Sequence, residues 1–295
     1  MKNIFIISGG GVRGIIAAKA LSAVKEKPDL IIGTSVGSIL GAYLALEIKG
    51  DICSMFKKAA KAIFGKKKLF PPKYDLDKTA SYLNDSVFEN KKCGDLKKPL
   101  IISSSELAGE ATMYFNSDKE RLKDKSVACF ISPSFAAPFY FKHILIEEKK
   151  HVLSDGGVGY NNFAIMPAFI EAAKRGFLGK EECNFYAFGT GIKRNDKKAK
   201  YAKLSKKVWL GDVLEYLNVK SGGFARQSSF NEQVNAGFNI AESIDGVSFN
   251  YFDAYIDKDY GLDDLKGMEE MEKCKIEKIE WEEWENAIFH KNHSF

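Results

Sequence analysis

The sequence predicts one α/β domain built around a mostly parallel sheet. Three observations carry this expectation. Two apolar strands each lead through a glycine turn into an apolar helix within the first 50 residues. That order is the opening of a parallel sheet with right-handed crossovers. The chain has 295 residues, long enough for one large buried core. No internal repeat or low-complexity linker divides it, so residues 1–295 are expected to form a single domain. Apolar content of 45% and charged content of 28% exclude a disordered or fibrous chain.

The elements follow in order. Asn3–Ser8 is a short β-branched and aromatic run, expected as a buried parallel strand. An Ala/Leu-rich helix is expected over Val12–Glu26, ending before Pro28. A second strand at Asp29–Ile32 precedes a second helix over Ser38–Ile48. Further strands are expected at Leu100–Ser104, Thr112–Phe115, Ile144–Glu147, His151–Leu153 and Asn184–Phe188. Helices are expected at Asp77–Leu83, Lys123–Phe130 and Ala164–Lys174. Beyond Gly191 the pattern weakens. Residues 192–207 look like a Lys-rich loop, Lys207–Asn218 and Phe230–Ile240 like helices, and Phe249–Ile256 alternates like an edge strand. The acidic, aromatic tail from Asp263 is expected to be partly helical.

The net charge of +5 favours anionic surfaces slightly without requiring them, and no nucleic-acid partner is expected. Five scattered cysteines with no C-x-x-C pair suit neither a disulfide framework nor a zinc site. A reducing, intracellular setting is the better reading. The Ile4–Ile7 run is too short for a signal peptide, and Arg13 interrupts it. No stretch reaches the roughly 18 apolar residues of a membrane span. The expectation is a cytoplasmic or peripheral membrane protein, with export as an effector left open.

Gly9-Gly10-Gly11-Val12-Arg13-Gly14 lies between a strand and a helix, where consecutive amides bind negative charge. It satisfies the G-x-G-x-x-G spacing of a dinucleotide site. That reading needs an acid at the C-terminal end of the second strand, where this chain has Gly-Thr-Ser; Asp29 lies at the wrong end. A merely tight turn is the bland alternative, and binding of an oxyanion is favoured. Gly33-Thr34-Ser35-Val36-Gly37 is a G-x-S-x-G elbow in the strand–turn–helix setting the motif needs. Glycines two residues either side of the serine avoid clashes across the turn.

Only one strand precedes this elbow, whereas ordinary α/β-hydrolases need several. Histidines are few (His143, His151, His290 and His293). The serine still needs a base, and a carboxylate serves if desolvation moves its pKa toward neutrality. Asp155-Gly156-Gly157 follows a strand-like run and is the leading candidate, although Asp-Gly-Gly alone is simply a good turn. Asp29 and Asp51 are weaker candidates.

In combination these three motifs resemble the patatin-like phospholipase family. The stretches Ser134–Phe141, Asn161-Asn162 and Phe188–Gly191 are similar too, and the likeness spans about residues 3–191 in the family's order. The resemblance implies a three-layer fold with the sheet sandwiched by helices. It implies hydrolysis of lipid acyl esters by a Ser35–Asp155 dyad, without metal or cofactor, acting on phospholipid or another acyl-ester lipid. Gly9, Gly10, Gly11 and Val12 would supply the oxyanion hole, while Arg13, Gly14, Gly33, Gly37, Gly156 and Gly157 complete the motifs. Departures are Lys19 in place of a usual glycine, Ala17 where proline is frequent, and Phe163 where proline is common.

Three other readings stay open. The same dyad would serve a transacylase or a non-lipid esterase, and a catalytically silent lipid-binding module could use the same fold. Phe56–Lys68 sets Phe56, Ala60, Ile63 and Phe64 on one helical face and lysines on another. Peripheral membrane contact through this segment is one expectation, and apolar packing on the core is the slightly favoured alternative.

Overall fold

The computed structural model describes residues 1–146, 150–158, 161–179, 181–193 and 223–289. Strands β1 (Lys2–Ile7), β2 (Leu30–Thr34), β3 (Leu100–Glu106), β4 (Ala111–Asn116), β5 (Ile144–Ile146) and β6 (His151–Asp155) come first in chain order. They are followed by β7 (Cys183–Phe188), β8 (Ile192–Lys193), β9 (Val247–Asp253), β10 (Tyr255–Ile256) and β11 (Glu277–Ile279). The main sheet runs β11-β9-β7-β1-β2-β3-β6-β5, with β4 also paired to β3. Its centre, from β9 through β7, β1 and β2 to β3, is parallel. The flanking pairs β9–β11, β3–β4, β3–β6 and β5–β6 are antiparallel.

The helices are α1 (Gly14–Ala23), α2 (Val36–Ala45), α3 (Ile52–Phe64), α4 (Leu76–Tyr82), α5 (Val127–Phe135), α6 (Ile165–Lys174), α7 (Gly223–Ser243), α8 (Leu265–Met271) and α9 (Trp281–Phe289). β1 shows why they form two layers. Its side chains alternate across the sheet. Phe5 and Ile7 join a core with residues of α1, α2, α3 and α5. Ile4 and Ile6 join the opposite core, with Phe169 of α6, Val234 and Phe238 of α7, and Trp284 of α9. Burial on both faces is why this strand reads as an unbroken apolar run. Among the described residues, no helix is long and apolar enough to cross a membrane.

Several elements differ from expectation. The helix expected from Lys123 begins at Val127, because Ser126 Oγ accepts the Cys129 amide and caps it there. β9 is not an edge strand: β11, which the sequence pattern did not reveal, pairs outside it. The first helix opens with a tight turn at Gly11–Arg13 before α1 begins. Lys207–Asn218 lies outside the described residues.

Candidate functional site

Ser35 sits between β2 and α2 with φ 54° and ψ −124°, a backbone state that non-glycine residues rarely adopt. Crowding dictates the neighbouring residue types. A Cβ on Gly33 would collide with the Gly37 carbonyl, and one on Gly37 with the Ile7 carbonyl. The strained amide is held, since Ser35 N–H donates to Ser134 Oγ at 2.9 Å, and Ser134 is fully buried.

Asp155 ends β6, which runs antiparallel to β3. Ser35 Oγ donates to Asp155 Oδ2 at 2.6 Å, across 120 residues of sequence. The other carboxylate oxygen accepts the Gly157 amide at 2.6 Å. The Asp155 amide donates to Ala136 O at 3.0 Å, tying the strand end to the Ser134–Phe141 stretch. A side chain on Gly156 would strike Ser103, so glycine is needed for this close approach. Asp29 and Asp51 do other work: Asp29 accepts the Asn3 amide and Asp51 caps α3.

The glycine loop presses against the serine, because a Cβ on Gly9 would lie 2.9 Å from Ser35 Cβ. Its amides divide into two groups. Gly9 N–H donates to Asn162 O at 3.1 Å and Val12 N–H to Leu262 O at 2.9 Å, so neither points freely at the serine. Gly10 and Gly11 N–H have no partner among the described residues. Of the four expected donors, Gly9 and Val12 thus have their amides occupied within the protein. Gly11 takes φ 58°, a conformation that favours glycine.

Sequence reasoning gave no role to the groups that hold this loop. Thr190 Oγ1 donates to Gly9 O at 2.9 Å, and Asn162 Nδ2 donates to the same oxygen at 3.3 Å. Thr190 is positioned in turn by Asp253 at the end of β9, whose Oδ1 accepts the Gly191 and Ala254 amides at 2.7 and 2.8 Å. Its Oδ2 accepts the Tyr251 hydroxyl at 2.6 Å. Burial raises the Asp253 pKa from 3.8 to about 6, offset in part by those bonds and by Arg13. Asn161-Asn162 and Phe188–Gly191 stood out as similar stretches; Asp253 and Leu262 had no signal.

Ser35 and Asp155 open into a cavity walled by Val36, Ile39, Phe56, Ile63, Phe64 and Phe141, among others. Its walls are almost wholly apolar. Gly11 and Leu262 also line it. Among its described lining residues there is no histidine. The apolar face of α3 therefore closes this cavity: Phe56, Ala59 and Ala60 are buried. Two of its lysines meet acids on or just beyond α8, Lys57 with Glu272 at 2.6 Å and Lys61 with Glu269 at 3.5 Å.

A doubly covered sheet with a strained serine at a strand-to-helix elbow and a carboxylate beside it defines a class of α/β hydrolytic folds. The family described as patatin-like phospholipase matches residues 5–169, more than half of the chain. The chain belongs to the patatin-like phospholipase family, a family of lipid acyl hydrolases. It is 27% identical over 180 residues to a cGAMP-activated phospholipase of Pseudomonas aeruginosa, covering 53% of this chain and 52% of that one. It is likewise 27% identical over 207 residues to a cGAMP-activated phospholipase of Vibrio cholerae, covering 57% and 56%. The chain thus spans about half the length of the curated relatives it matches. The crystal structure of VipD from Legionella pneumophila aligns with a TM-score of 0.42 at 14% identity, over 94% of this chain and 68% of that one.

Proposed function

We propose that this chain hydrolyses fatty-acyl ester bonds of phospholipids through Ser35 and Asp155. The observation that carries the reading is the 2.6 Å hydrogen bond from Ser35 Oγ to Asp155 Oδ2 at the foot of an apolar cavity. Asp155 takes the hydroxyl proton as Ser35 Oγ attacks the ester carbonyl carbon. The tetrahedral oxyanion forms against the Gly10 and Gly11 amides, each donor worth about 10²–10³-fold in rate. Collapse breaks the carbon–oxygen bond to the leaving alcohol, which departs with the proton held by Asp155. Water then attacks the acyl-Ser35 ester, gives its proton to Asp155, and releases the fatty acid as Ser35 recovers that proton. The apolar walls favour a fatty-acyl chain over a polar acyl group, because desolvating polar groups there would go uncompensated.

Ser35→Ala and Asp155→Asn should each lower fatty-acid release from labelled phospholipid by roughly 10⁴-fold or more. Wild-type turnover in Asp155→Asn would refute the dyad, as would loss of activity in His290→Ala with Asp155→Asn unaffected. Labelling of Ser35 by a fluorophosphonate separates an active enzyme from a silent binding module. Because two relatives are named as cGAMP-activated, we propose nucleotide control here as well. A rate unchanged by added cGAMP would reject it.

A further inference from the structure

The loop joining α3 to α4 carries apolar side chains that pack on nothing. Leu69 is 89% exposed and Phe70 75% exposed, and Phe139 beside them is 59% exposed. They form one patch, because the loop is tied to the Phe139 segment. Lys73 N–H donates to Phe139 O at 3.0 Å and Tyr74 N–H to Tyr140 O at 2.8 Å, while Lys68 N–H donates to Lys73 O at 2.9 Å. The patch sits at the cavity. Tyr140, which stacks on Tyr74, and Phe64, whose ring meets Tyr74 edge-on, both line the cavity wall.

The charge carried by the loop itself has one sign. The segment 66–73 contains Lys66, Lys67, Lys68 and Lys73 and no acid. Lys67 meets Asp263 at 3.0 Å and Lys73 lies over the Tyr140 ring at 4.6 Å. Lys66 and Lys68 are exposed and form no ion pair among the described residues. Other acids follow the loop in sequence: Asp75 caps α4 and feels the Lys68 charge, and Asp77 pairs with Lys142 at 2.6 Å. Solvent-facing leucine and phenylalanine ringed by lysines match a bilayer interface with anionic headgroups, where apolar side chains enter and ammonium groups meet phosphate. A soluble partner would need a shaped apolar counterpart; a bilayer accepts a convex tip.

We infer that Leu69, Phe70 and Phe139, with Lys66 and Lys68, form a docking tip that seats the cavity mouth on anionic phospholipid membranes. This moves the membrane contact off the α3 face, which closes the cavity, and onto the loop after it. The inference rests on the proposed lipid reading for its purpose, and binding is measured apart from chemistry for that reason. The full chain is co-sedimented with phosphatidylcholine vesicles with and without phosphatidylglycerol, and hydrolysis is followed on a water-soluble short-chain ester and on the vesicles.

The wild type should bind the anionic vesicles preferentially. Leu69→Asp/Phe70→Asp should lower binding and vesicle hydrolysis by roughly tenfold or more, with short-chain ester hydrolysis unchanged. Lys66→Glu/Lys68→Glu should lose the preference for anionic lipid. Equal binding by the aspartate variant, or equal wild-type binding to neutral and anionic vesicles, would overturn the inference. If vesicles bind as described but neither substrate is cleaved, the docking tip stands and the hydrolase reading fails.

Discussion

Ser35 holds a backbone conformation costing on the order of 1–3 kcal/mol, which persists only when its surroundings enforce it. The Ser134 hydroxyl is one such enforcer, accepting the Ser35 amide inside the protein. Ser134→Ala leaves that amide without an acceptor and should lower stability by about 1–3 kcal/mol in urea unfolding. It should also slow fluorophosphonate labelling of Ser35 several-fold, and a variant unchanged in both would show Ser134 to be incidental. Ser35 and Asp155 stood out as candidates in the sequence because their turn chemistry is local and glycine-bound. Ser134 and Thr190 lay within stretches similar to the family, but their hydrogen bonds reach across 99 and 181 residues, so nothing local assigned them a role. That the Val12 amide is occupied was hidden for the same reason: the Leu262 carbonyl it meets lies far along the chain.

Parallel strands and their helices were legible because burial on both faces gives continuous apolar runs. β11 was not, since a three-residue strand in an acidic tail carries too few residues to show a period. Two departures from the family pattern have structural work. Phe163 is buried against Phe230 of α7, their ring centroids 5.1 Å apart, which docks that helix on the sheet. Lys19 reaches from α1 to the end of α8, where Nζ donates to the Glu272 and Cys274 carbonyls at 2.5 and 2.6 Å. Those are unsatisfied acceptors at a helix C-terminus, favourable for a cation. Lys19→Met keeps the aliphatic stem and should cost about 1–2 kcal/mol. Hydrogen exchange at the α8 amides should rise with it, and protection equal to wild type would contradict the capping role.

At the scale of the molecule, Asp253 links the far side of the sheet to the glycine loop, and its titration is measurable. An unfolded chain releases this proton near 3.8, while the folded protein retains it to about 6. The folded state thus binds more protons across that window, and its stability falls as pH rises through it, by a limit on the order of 3 kcal/mol. The Asp253→Asn variant cannot titrate there. In paired denaturant titrations, the stability of the wild type relative to this variant should therefore be greater at pH 4 than at pH 7. A difference constant between pH 4 and 7 would remove the assignment.

Every recognisable motif ends by Gly191, yet the turn that bears Gly10 and Gly11 is clamped by Leu262 and, through Thr190, by Asp253. A shortened fragment stopping at Gly191 would carry the whole signature and lack its anchors. Motif boundaries and working boundaries therefore part company here. Anyone grafting this candidate site onto another scaffold would have to bring along the closing third of the polypeptide.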